Sequence, residues 1–184
     1  IENPSDELIA DYLAGDYVLG RCVGAMEFGA RSLGNRAILC NPSKIENLKH
    51  INEKIKFRDF WMPFTPSILA ERGSEYIVNP KGASDEFMTI AYDSTPLCRE
   101  HLKAAIHPYD FTVRAQFVSS ETNEKYYSLI KAFEKKTGIG ALLNTSLNLH
   151  GSPMVNTLDD ALYTMLHSGL DGLILPGFLL VRDK

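Results

Sequence analysis

The sequence predicts a single α/β (α+β) domain, residues 1–184, built around a twisted mixed β-sheet flanked by helices. Strand-like apolar runs and amphipathic helical segments follow one another without strict alternation, which favours a mixed sheet over a purely parallel one. The 184 residues are 45% hydrophobic and 23% charged, a composition that is sufficient for one buried core. The sequence shows no repeat, linker or low-complexity segment.

Helices are predicted where apolar residues recur every three to four positions beside capping signals. Asn3 or Ser5 can cap the first helix, and Gly15 suits its exit. The patterns Ser43-x-x-Glu46 and Thr157-x-x-Asp160 are capping boxes for two further helices. The predicted helices cover residues 4–13, 43–55, 97–106, 123–136 and 157–169.

Strands are predicted where short runs of apolar, β-branched and aromatic residues lie between turn residues. The glycine-rich residues 24–35 interrupt these runs and are predicted to be a loop. The predicted strands cover residues 17–22, 37–40, 65–69, 87–92, 112–118, 141–145, 173–175 and 178–182.

Charge is distributed unevenly along the chain. The net charge of −4 argues against general nucleic-acid binding through phosphate contacts. Residues 21–58, however, hold eight basic and three acidic side chains, a local balance of +5. A basic zone in an acidic protein fits a focused anion site. A solvated helix face is the alternative for Lys44 and Lys49.

Cysteine usage and hydropathy indicate the compartment. Cys22, Cys40 and Cys98 are odd in number and widely spaced, which favours a reducing, cytoplasmic environment and argues against a structural zinc site. No apolar run reaches the roughly 20 residues of a membrane span, and we expect no membrane association. The chain begins at Ile1 rather than Met, and we expect it to be part of a longer protein.

The predicted loop 24–35 has the composition of an anion site. Arg31 lies between two glycines, which let a ligand approach the backbone, and its guanidinium offers a fork of donors for phosphate or carboxylate. Bonding to loop carbonyls is the alternative for Arg31 and equally for Arg36. Glu27 is expected to orient an arginine, and Asn35 to tie the loop to itself.

Three basic residues alternate with other residues after the loop. In an extended conformation Lys54, Lys56 and Arg58 point to one side, a spacing that suits a polyphosphate. A solvated edge would give the same pattern. The apolar residues 60–64 that follow indicate that the chain enters the core.

Polar residues also alternate at the end of the predicted strand 141–145. Asn144, Ser146 and Asn148 offer hydroxyl and amide groups where α/β folds place their ligands. Their alternative role is bracing of the loop through local bonds to the backbone.

Two further residues carry separate interpretations. Arg114 lies within the predicted strand 112–118, where it is either paired structurally or faces a ligand, with Gln116 on the same face. His107 is either a base or a cap for the end of the preceding predicted helix. No spacing suits a metal site, a Ser-His-Asp triad or a Walker-type loop.

These motifs together resemble the C-terminal domain of the NodU/CmcH family of O-carbamoyltransferases. The resemblance runs over nearly the whole chain and rests on polar identities at fixed spacing. They are Glu27-Phe-Gly-x-Arg31-Ser-Leu-Gly-Asn35-Arg36, Asn52-x-Lys54-x-Lys56-x-Arg58, Met62-Pro-Phe-Thr-Pro66, residues 107–116 with Arg114, Asn144-Thr-Ser-x-Asn148-x-x-Gly151-x-Pro153 and Gly169-Leu-Asp171-x-Leu.

The resemblance implies a YrdC-like fold and a carbamoyl-activating role. Such a domain would bind carbamoyl phosphate and ATP and form carbamoyl adenylate, with Mg²⁺ carried by the ATP phosphates. Lys56-Phe-Arg58 and Thr145-Ser146-Leu-Asn148 look like the Lys-x-Arg and Thr-Ser-x-Asn motifs that surround the nucleotide in YrdC-like domains. Many relatives carry arginine where this chain has Met62, so this chain lacks the third arginine that they have.

The implied site divides into two groups of residues. Arg31, Lys56 and Arg114 are the expected catalytic residues, and no residue is expected to bind a metal. The expected substrate-binding residues are Lys54, Arg58, Asn144, Ser146 and Asn148.

The resemblance also implies partners. An actin-like ATPase-fold domain would precede this one in the longer protein and pass the carbamoyl group to a hydroxyl acceptor. An uncovered apolar surface would favour a homodimer. Two alternatives stay open: a nucleotide- or RNA-binding YrdC-like module without chemistry, and a structural half that completes a neighbouring domain's site.

Overall fold

A computed structural model describes residues 1–57 and 62–182 of the chain. Within these ranges the helices are α1 (Asp6–Ala14), α2 (Ile45–Ile51), α3 (Gly73–Tyr76), α4 (Pro96–His101), α5 (Ser120–Thr137) and α6 (Leu158–Leu166). A π-helical turn, Asn52–Lys56, follows α2, and a 3₁₀ turn, Ala70–Arg72, precedes α3. The strands are β1 (Leu19–Cys22), β2 (Arg36–Cys40), β3 (Thr65–Leu69), β4 (Ile77–Val78), β5 (Tyr92–Ser94), β6 (Thr112–Val113), β7 (Gln116–Val118), β8 (Ala141–Ser146), β9 (Gly172–Leu175) and β10 (Phe178–Val181).

The main sheet is mixed, which confirms the predicted fold class. Its seven strands lie in the order β10-β9-β1-β2-β8-β3-β7. The pairs β1–β9 and β3–β7 are parallel, whereas the other neighbours are antiparallel. A smaller sheet has the order β4-β5-β6.

Helices bury both faces of the main sheet. Leu39 faces a core to which α1 and α5 contribute residues such as Leu13 and Phe133. The neighbouring Ile38 faces the opposite core, with Ile51 of α2. Because both faces are covered, β2 is buried at every position, and its last four residues form a continuous apolar run instead of an alternating one.

The capping signals located several helix ends correctly. The Ser5 side chain accepts a hydrogen bond from the Leu8 amide at the start of α1, and Gly15 ends that helix. The box at Thr157 and Asp160 begins α6 as predicted. The box at Ser43 is wrong, because α2 begins after Lys44 and the Ser43 hydroxyl instead donates to Asn41 Oδ1 at 2.8 Å.

The structure differs from two predicted elements, and local hydrogen bonds from polar side chains explain both differences. Helix α4 is shorter than the predicted 97–106 and begins earlier, because Thr95 caps it. Of the predicted strand 87–92 only its last residue belongs to a strand, β5. The Asp85 carboxylate accepts hydrogen bonds from the amides of Phe87, Thr89 and Ile90, and these bonds hold the segment as a loop.

Candidate functional site

The candidate site lies at one edge of the main sheet, where three strands bring their connecting loops together. Asn144 of β8 pairs with Leu39 of β2 on one side and with Thr65 of β3 on the other. The antiparallel pairing therefore places the end of β8 beside the starts of β2 and β3. The glycine loop (residues 24–35) enters β2 at this edge.

Two adjoining cavities open at this edge. The inner cavity has a volume of about 80 Å³. The outer cavity, of about 510 Å³, shares with it the lining residues Arg31, Pro63, Phe64, Thr65 and Arg114. The inner cavity is also lined by Ala30, Ser32, Met88, Asn144, Thr145 and Ser146. Two of the three predicted catalytic residues therefore face one continuous space.

Glu27 shapes the glycine loop from inside. Its Oε1 atom accepts hydrogen bonds from the backbone amides of Leu33, Asn35 and Arg36 at 2.8, 2.7 and 3.1 Å. We expected Glu27 to orient an arginine side chain, and that prediction is wrong for the described residues, where Glu27 forms no salt bridge. The prediction for Asn35 is confirmed, because its side chain donates to the Ala25 carbonyl at 2.9 Å.

The two arginines of this region have different surroundings. Arg36 is buried and donates to the carbonyls of Val23, Gly24 and Asn35, which is the bracing alternative. Arg31 is exposed at the rim of both cavities. Its side chain makes no hydrogen bond or ion pair with any residue in ranges 1–57 and 62–182. The guanidinium of Arg31 is therefore available to a ligand.

Arg114 lies at a break in a predicted strand. Residues 112–118 form not one strand but two, because the chain leaves the small sheet after β6 and joins the main sheet at β7. Arg114 stands between the two strands, half-buried, and lines both cavities. A strand pattern repeats every two residues and carries no signal for a change of sheet.

Lys54 and Lys56 are not extended, which corrects the conformation predicted for them. Lys54 and Lys56 lie in the π-helical turn, where they point in different directions. Lys54 is exposed, lies against Gly169 and lines neither cavity. Arg58 lies outside the described residues. The proposed substrate roles of Lys54 and Arg58 stay predictions.

The structure brings together residues from two motifs, Lys56 from one and Ser146 with Asn148 from the other. Lys56 is only 1% exposed, and its ammonium donates to the Ser146 hydroxyl at 3.2 Å and to Asn148 Oδ1 at 2.5 Å. It also donates to the backbone carbonyls of Ser146 and Asn148. A buried ammonium needs such acceptors. Ser146 in turn lines the inner cavity, so the cluster lies directly behind that wall.

Asn144 serves a bracing network. It is fully buried, and its amide nitrogen donates to the Ser32 carbonyl and to the Ser67 hydroxyl, each at 3.0 Å. Ser67 donates to Gln116 Oε1 at 2.7 Å, and Gln116 donates to the Leu33 carbonyl at 3.0 Å. The network ties the glycine loop to three strands. Substrate contact by Asn144 stays a prediction, although the residue does line the inner cavity.

Sequence reasoning missed several wall residues. Met88 is buried with a positive φ of 57°, and the Thr65 hydroxyl lies 3.3 Å from its sulfur. No periodic pattern marks Met88, but the aspartate at position 85 is a typical loop signal that could have been used.

His107 belongs to the outer cavity. Its Nδ1 atom lies 2.9 Å from Asp110 Oδ1. Hydrogen bonds from the Thr112 amide and hydroxyl, helped by His107, hold the pKa of Asp110 below its ordinary value. Helix α4 ends at His101, so His107 is not the cap of that helix.

The comparisons with known proteins place these features in a family. The profile described as carbamoyltransferase C-terminus matches residues 10–182. The chain belongs to the carbamoyltransferase C-terminal family. It is 40% identical over 176 residues to the nodulation protein NolO of Bradyrhizobium diazoefficiens, an alignment that covers 95% of this chain and 32% of NolO. The chain therefore spans about a third of that curated relative, and the predicted family resemblance is confirmed.

Solved structures confirm the predicted YrdC-like fold. Escherichia coli YciO superposes with a TM-score of 0.65 at 17% identity, over 97% of this chain and 82% of YciO. Full-length HypF in its phosphate- and nucleotide-bound form superposes with a TM-score of 0.64 at 12% identity, over 97% of this chain and 26% of HypF. At these identities the likeness establishes the fold alone.

Two absences among the described residues concern membranes and metal ions. Within ranges 1–57 and 62–182 no helix is long and apolar enough to cross a bilayer. In the same ranges no three His, Cys, Asp or Glu side chains are grouped as a metal ion would require.

Proposed function

We propose that this domain binds carbamoyl phosphate and ATP and forms carbamoyl adenylate. One observation carries the proposal. In a domain of the carbamoyltransferase C-terminal family, Arg31 and Arg114 face a cavity whose wall includes Ser146, and the Lys56 ammonium lies hydrogen-bonded behind that wall. Three cationic groups around one partly enclosed space suit a substrate with several phosphate oxygens.

The proposed reaction has two balanced steps. In the first, water cleaves carbamoyl phosphate, which yields carbamate and inorganic phosphate. In the second, a carbamate oxygen attacks the α-phosphorus of ATP, the bond to the bridging oxygen breaks, and pyrophosphate leaves. The product is carbamoyl adenylate, a mixed anhydride that hydrolyses readily, so enclosure would protect it from water.

The arginines and the lysine would have different tasks. Arg31 and Arg114 would bind the phosphate of carbamoyl phosphate, because both line the two cavities and both offer forked donors. Lys56 would act from behind the wall. Its charge would stabilise negative charge that develops at the α-phosphate, and it would orient Ser146 and Asn148 toward the nucleotide.

The nucleotide assignment has support from a neighbour of the same fold. HypF was solved with phosphate and nucleotide bound, and its YrdC-like part superposes on this chain. ATP would bring Mg²⁺ on its own phosphates, because the described residues offer no group of three metal-binding side chains. In the longer protein, a preceding domain would supply the hydroxyl acceptor's site and receive the carbamoyl group.

The proposal is tested by pyrophosphate release and by binding. Purified chain is mixed with ATP, Mg²⁺ and carbamoyl phosphate, and pyrophosphate is measured. Arg114→Ala should weaken carbamoyl phosphate binding about tenfold or more in calorimetry, since a charged hydrogen bond contributes roughly 1.5–3 kcal/mol.

Ser146→Ala should slow pyrophosphate release. Lys49→Ala, at an exposed lysine of α2, is the matched control and should change neither.

Two outcomes would contradict the proposal. If a folded Arg114→Ala variant binds carbamoyl phosphate with unchanged affinity, Arg114 does not bind this substrate as proposed. Nucleotide binding without any pyrophosphate release would favour a nucleotide-binding module without chemistry. RNA binding is disfavoured by the net charge of −4 and would appear in a filter-binding assay.

A further inference from the structure

A second cavity, separate from the two described above, is lined by residues of α1, β1, α5 and β9. It has a volume of about 630 Å³, within the usual range for small-molecule sites. Apolar side chains form much of its wall, including Ile9, Val23, Leu129 and Ile174. Its charged lining residues are Asp6, Arg21 and Lys125. No residue of the proposed carbamoyl site lines it.

Arg21 is the unusual member of this lining. It is only 3% exposed, and its guanidinium lies over the Tyr126 ring at 5.4 Å. Its Nη1 atom donates to the Gly34 carbonyl at 2.6 Å and to Asn35 Oδ1 at 3.2 Å. These two hydrogen bonds give Arg21 a structural role, because they support the back of the glycine loop.

That structural role uses only part of the guanidinium. Neither Nε nor Nη2 donates a hydrogen bond to any residue that the structure describes. Together these two nitrogens form the edge of the guanidinium that binds a carboxylate through two parallel hydrogen bonds. Buried polar groups are normally satisfied, so a buried arginine with an unused edge beside a cavity indicates a ligand.

The acidic residue of the lining does not supply that partner. Asp6 and Arg21 form no salt bridge, although both are among the described residues. Burial raises the pKa of Asp6, and the attraction of Arg21 only partly opposes the rise. The cavity therefore presents a buried guanidinium at one wall, a lysine at its exposed side and one carboxylate that does not neutralise the arginine.

We propose that this cavity binds a small organic carboxylate with an apolar body. The carboxylate would pair with the Nε–Nη2 edge of Arg21, and the apolar part would lie against Val23, Leu129 and Ile174. Inorganic phosphate shares the charge but cannot use the apolar walls. The site is independent of the proposed carbamoyl chemistry, because it shares no lining residue with either cavity there.

Hexanoate is the probe that tests the proposal. In ¹⁵N–¹H correlation spectra of the chain, hexanoate should shift the amides of Val23, Gly24, Leu129 and Gly177 in a saturable way. Hexylamine, with a similar tail and the opposite charge, should bind at least tenfold more weakly. Inorganic phosphate should also bind more weakly than hexanoate.

Four variants make the test specific. Arg21→Lys keeps a positive charge but loses the forked edge, and should weaken hexanoate binding about tenfold or more. Val23→Phe places a larger side chain in the cavity while Arg21 itself is unchanged, and should abolish binding. Asp6→Asn removes a repelling carboxylate and should strengthen binding. Its matched control is Glu7→Gln, one residue along α1 and outside the cavity, which should leave the affinity unchanged.

Several results would overturn the proposal. If hexylamine binds as tightly as hexanoate, the cavity is only an apolar groove that does not recognise a carboxylate. Phosphate binding as tight as that of hexanoate would make it a simple anion site. Hexanoate shifts confined to amides around Arg31 and Arg114 would place the binding at the proposed carbamoyl site instead. Since Val23→Phe leaves Arg21 intact, unchanged affinity in that variant would count against the site even if Arg21→Lys failed to fold.

Discussion

A single carboxylate oxygen of Glu27 holds the amides of Leu33, Asn35 and Arg36. Glu27→Ala leaves these three donors without that acceptor, and we expect the free energy of unfolding to fall by about 1–3 kcal/mol. Glu27→Gln retains an oxygen at the same place, so its loss should be smaller. Urea unfolding of the three proteins measures both effects.

The glutamine variant is the control for this prediction. Its amide oxygen can accept the same bonds without the negative charge. If Glu27→Gln loses as much stability as Glu27→Ala, the charge rather than the acceptor oxygen holds the loop, and the proposed role of the three bonds is wrong.

Cysteine chemistry gives a second prediction at this scale. Burial raises the pKa of the Cys98 thiol to about 12 and also raises the pKa of Cys22 and Cys40. The thiolate is the reactive form, so at pH 8 Cys98 has almost no thiolate in the folded protein, and Cys22 and Cys40 have less than in the unfolded chain. Iodoacetamide should therefore label the native chain far more slowly than the urea-unfolded chain, as mass spectrometry would show. Rapid native labelling of Cys98 would contradict its burial.

Residue types alone predicted part of the site. The two polar motifs contain Lys56, Ser146 and Asn148, and in the structure these residues form one hydrogen-bonded cluster. The same reasoning could not separate Arg31 from Arg36, because an arginine that binds a ligand and one that binds backbone carbonyls look alike in sequence. The separation depends on where the loop backbone places its carbonyls, which is a property of the folded chain.

At the scale of elements, the glycine loop packs against α5. Gly34 and Gly29 both have positive φ values, 113° and 126°, but their surroundings differ. A Cβ atom at Gly34 would overlap the Tyr126 ring, whereas at Gly29 it would meet nothing within 4 Å. Gly34→Ala should therefore lose about 1–3 kcal/mol more stability than Gly29→Ala, the extra loss being the cost of overpacking.

The pair of glycine variants separates strain from packing. Backbone strain at positive φ applies to both positions, so the difference between their unfolding free energies in urea isolates the contact with Tyr126. Equal losses at the two positions would show that the loop moves away from α5 without cost. In that case the loop would not be held rigidly behind Arg31.

The errors of element prediction share a physical cause. Residues 112–118 have a strand pattern, yet the chain changes sheets at Arg114. Lys54 and Lys56 alternate with other residues, a pattern that suggested an extended chain, yet they continue α2 as a π-helical turn. In both places tertiary packing overrides the local pattern. Arg114 and Lys56, which are central to the candidate site, lie at these two departures, and irregular backbone is frequent at functional sites.

At the scale of the whole molecule, the fold class followed from composition and pattern, but the strand order did not. In the order β10-β9-β1-β2-β8-β3-β7, β9 from the end of the chain lies beside β1 from its beginning, and β8 lies between β2 and β3. The β1–β9 and β2–β8 pairings join residues more than a hundred positions apart, and nothing local encodes them. The convergence of Arg31, Arg114 and Ser146 at one cavity is a product of that order.

The last prediction concerns what the chain accomplishes by itself, and it rests on the proposed function. The chain spans 32% of NolO, so acceptor binding would reside in the remaining part of a longer protein. Purified chain supplied with ATP, Mg²⁺, carbamoyl phosphate and hydroxyl acceptors should release pyrophosphate but yield no carbamate ester by mass spectrometry. The carbamoyl adenylate would leave the cavity and hydrolyse. Efficient formation of an ester would place acceptor recognition within these 184 residues and refute the proposed division of labour.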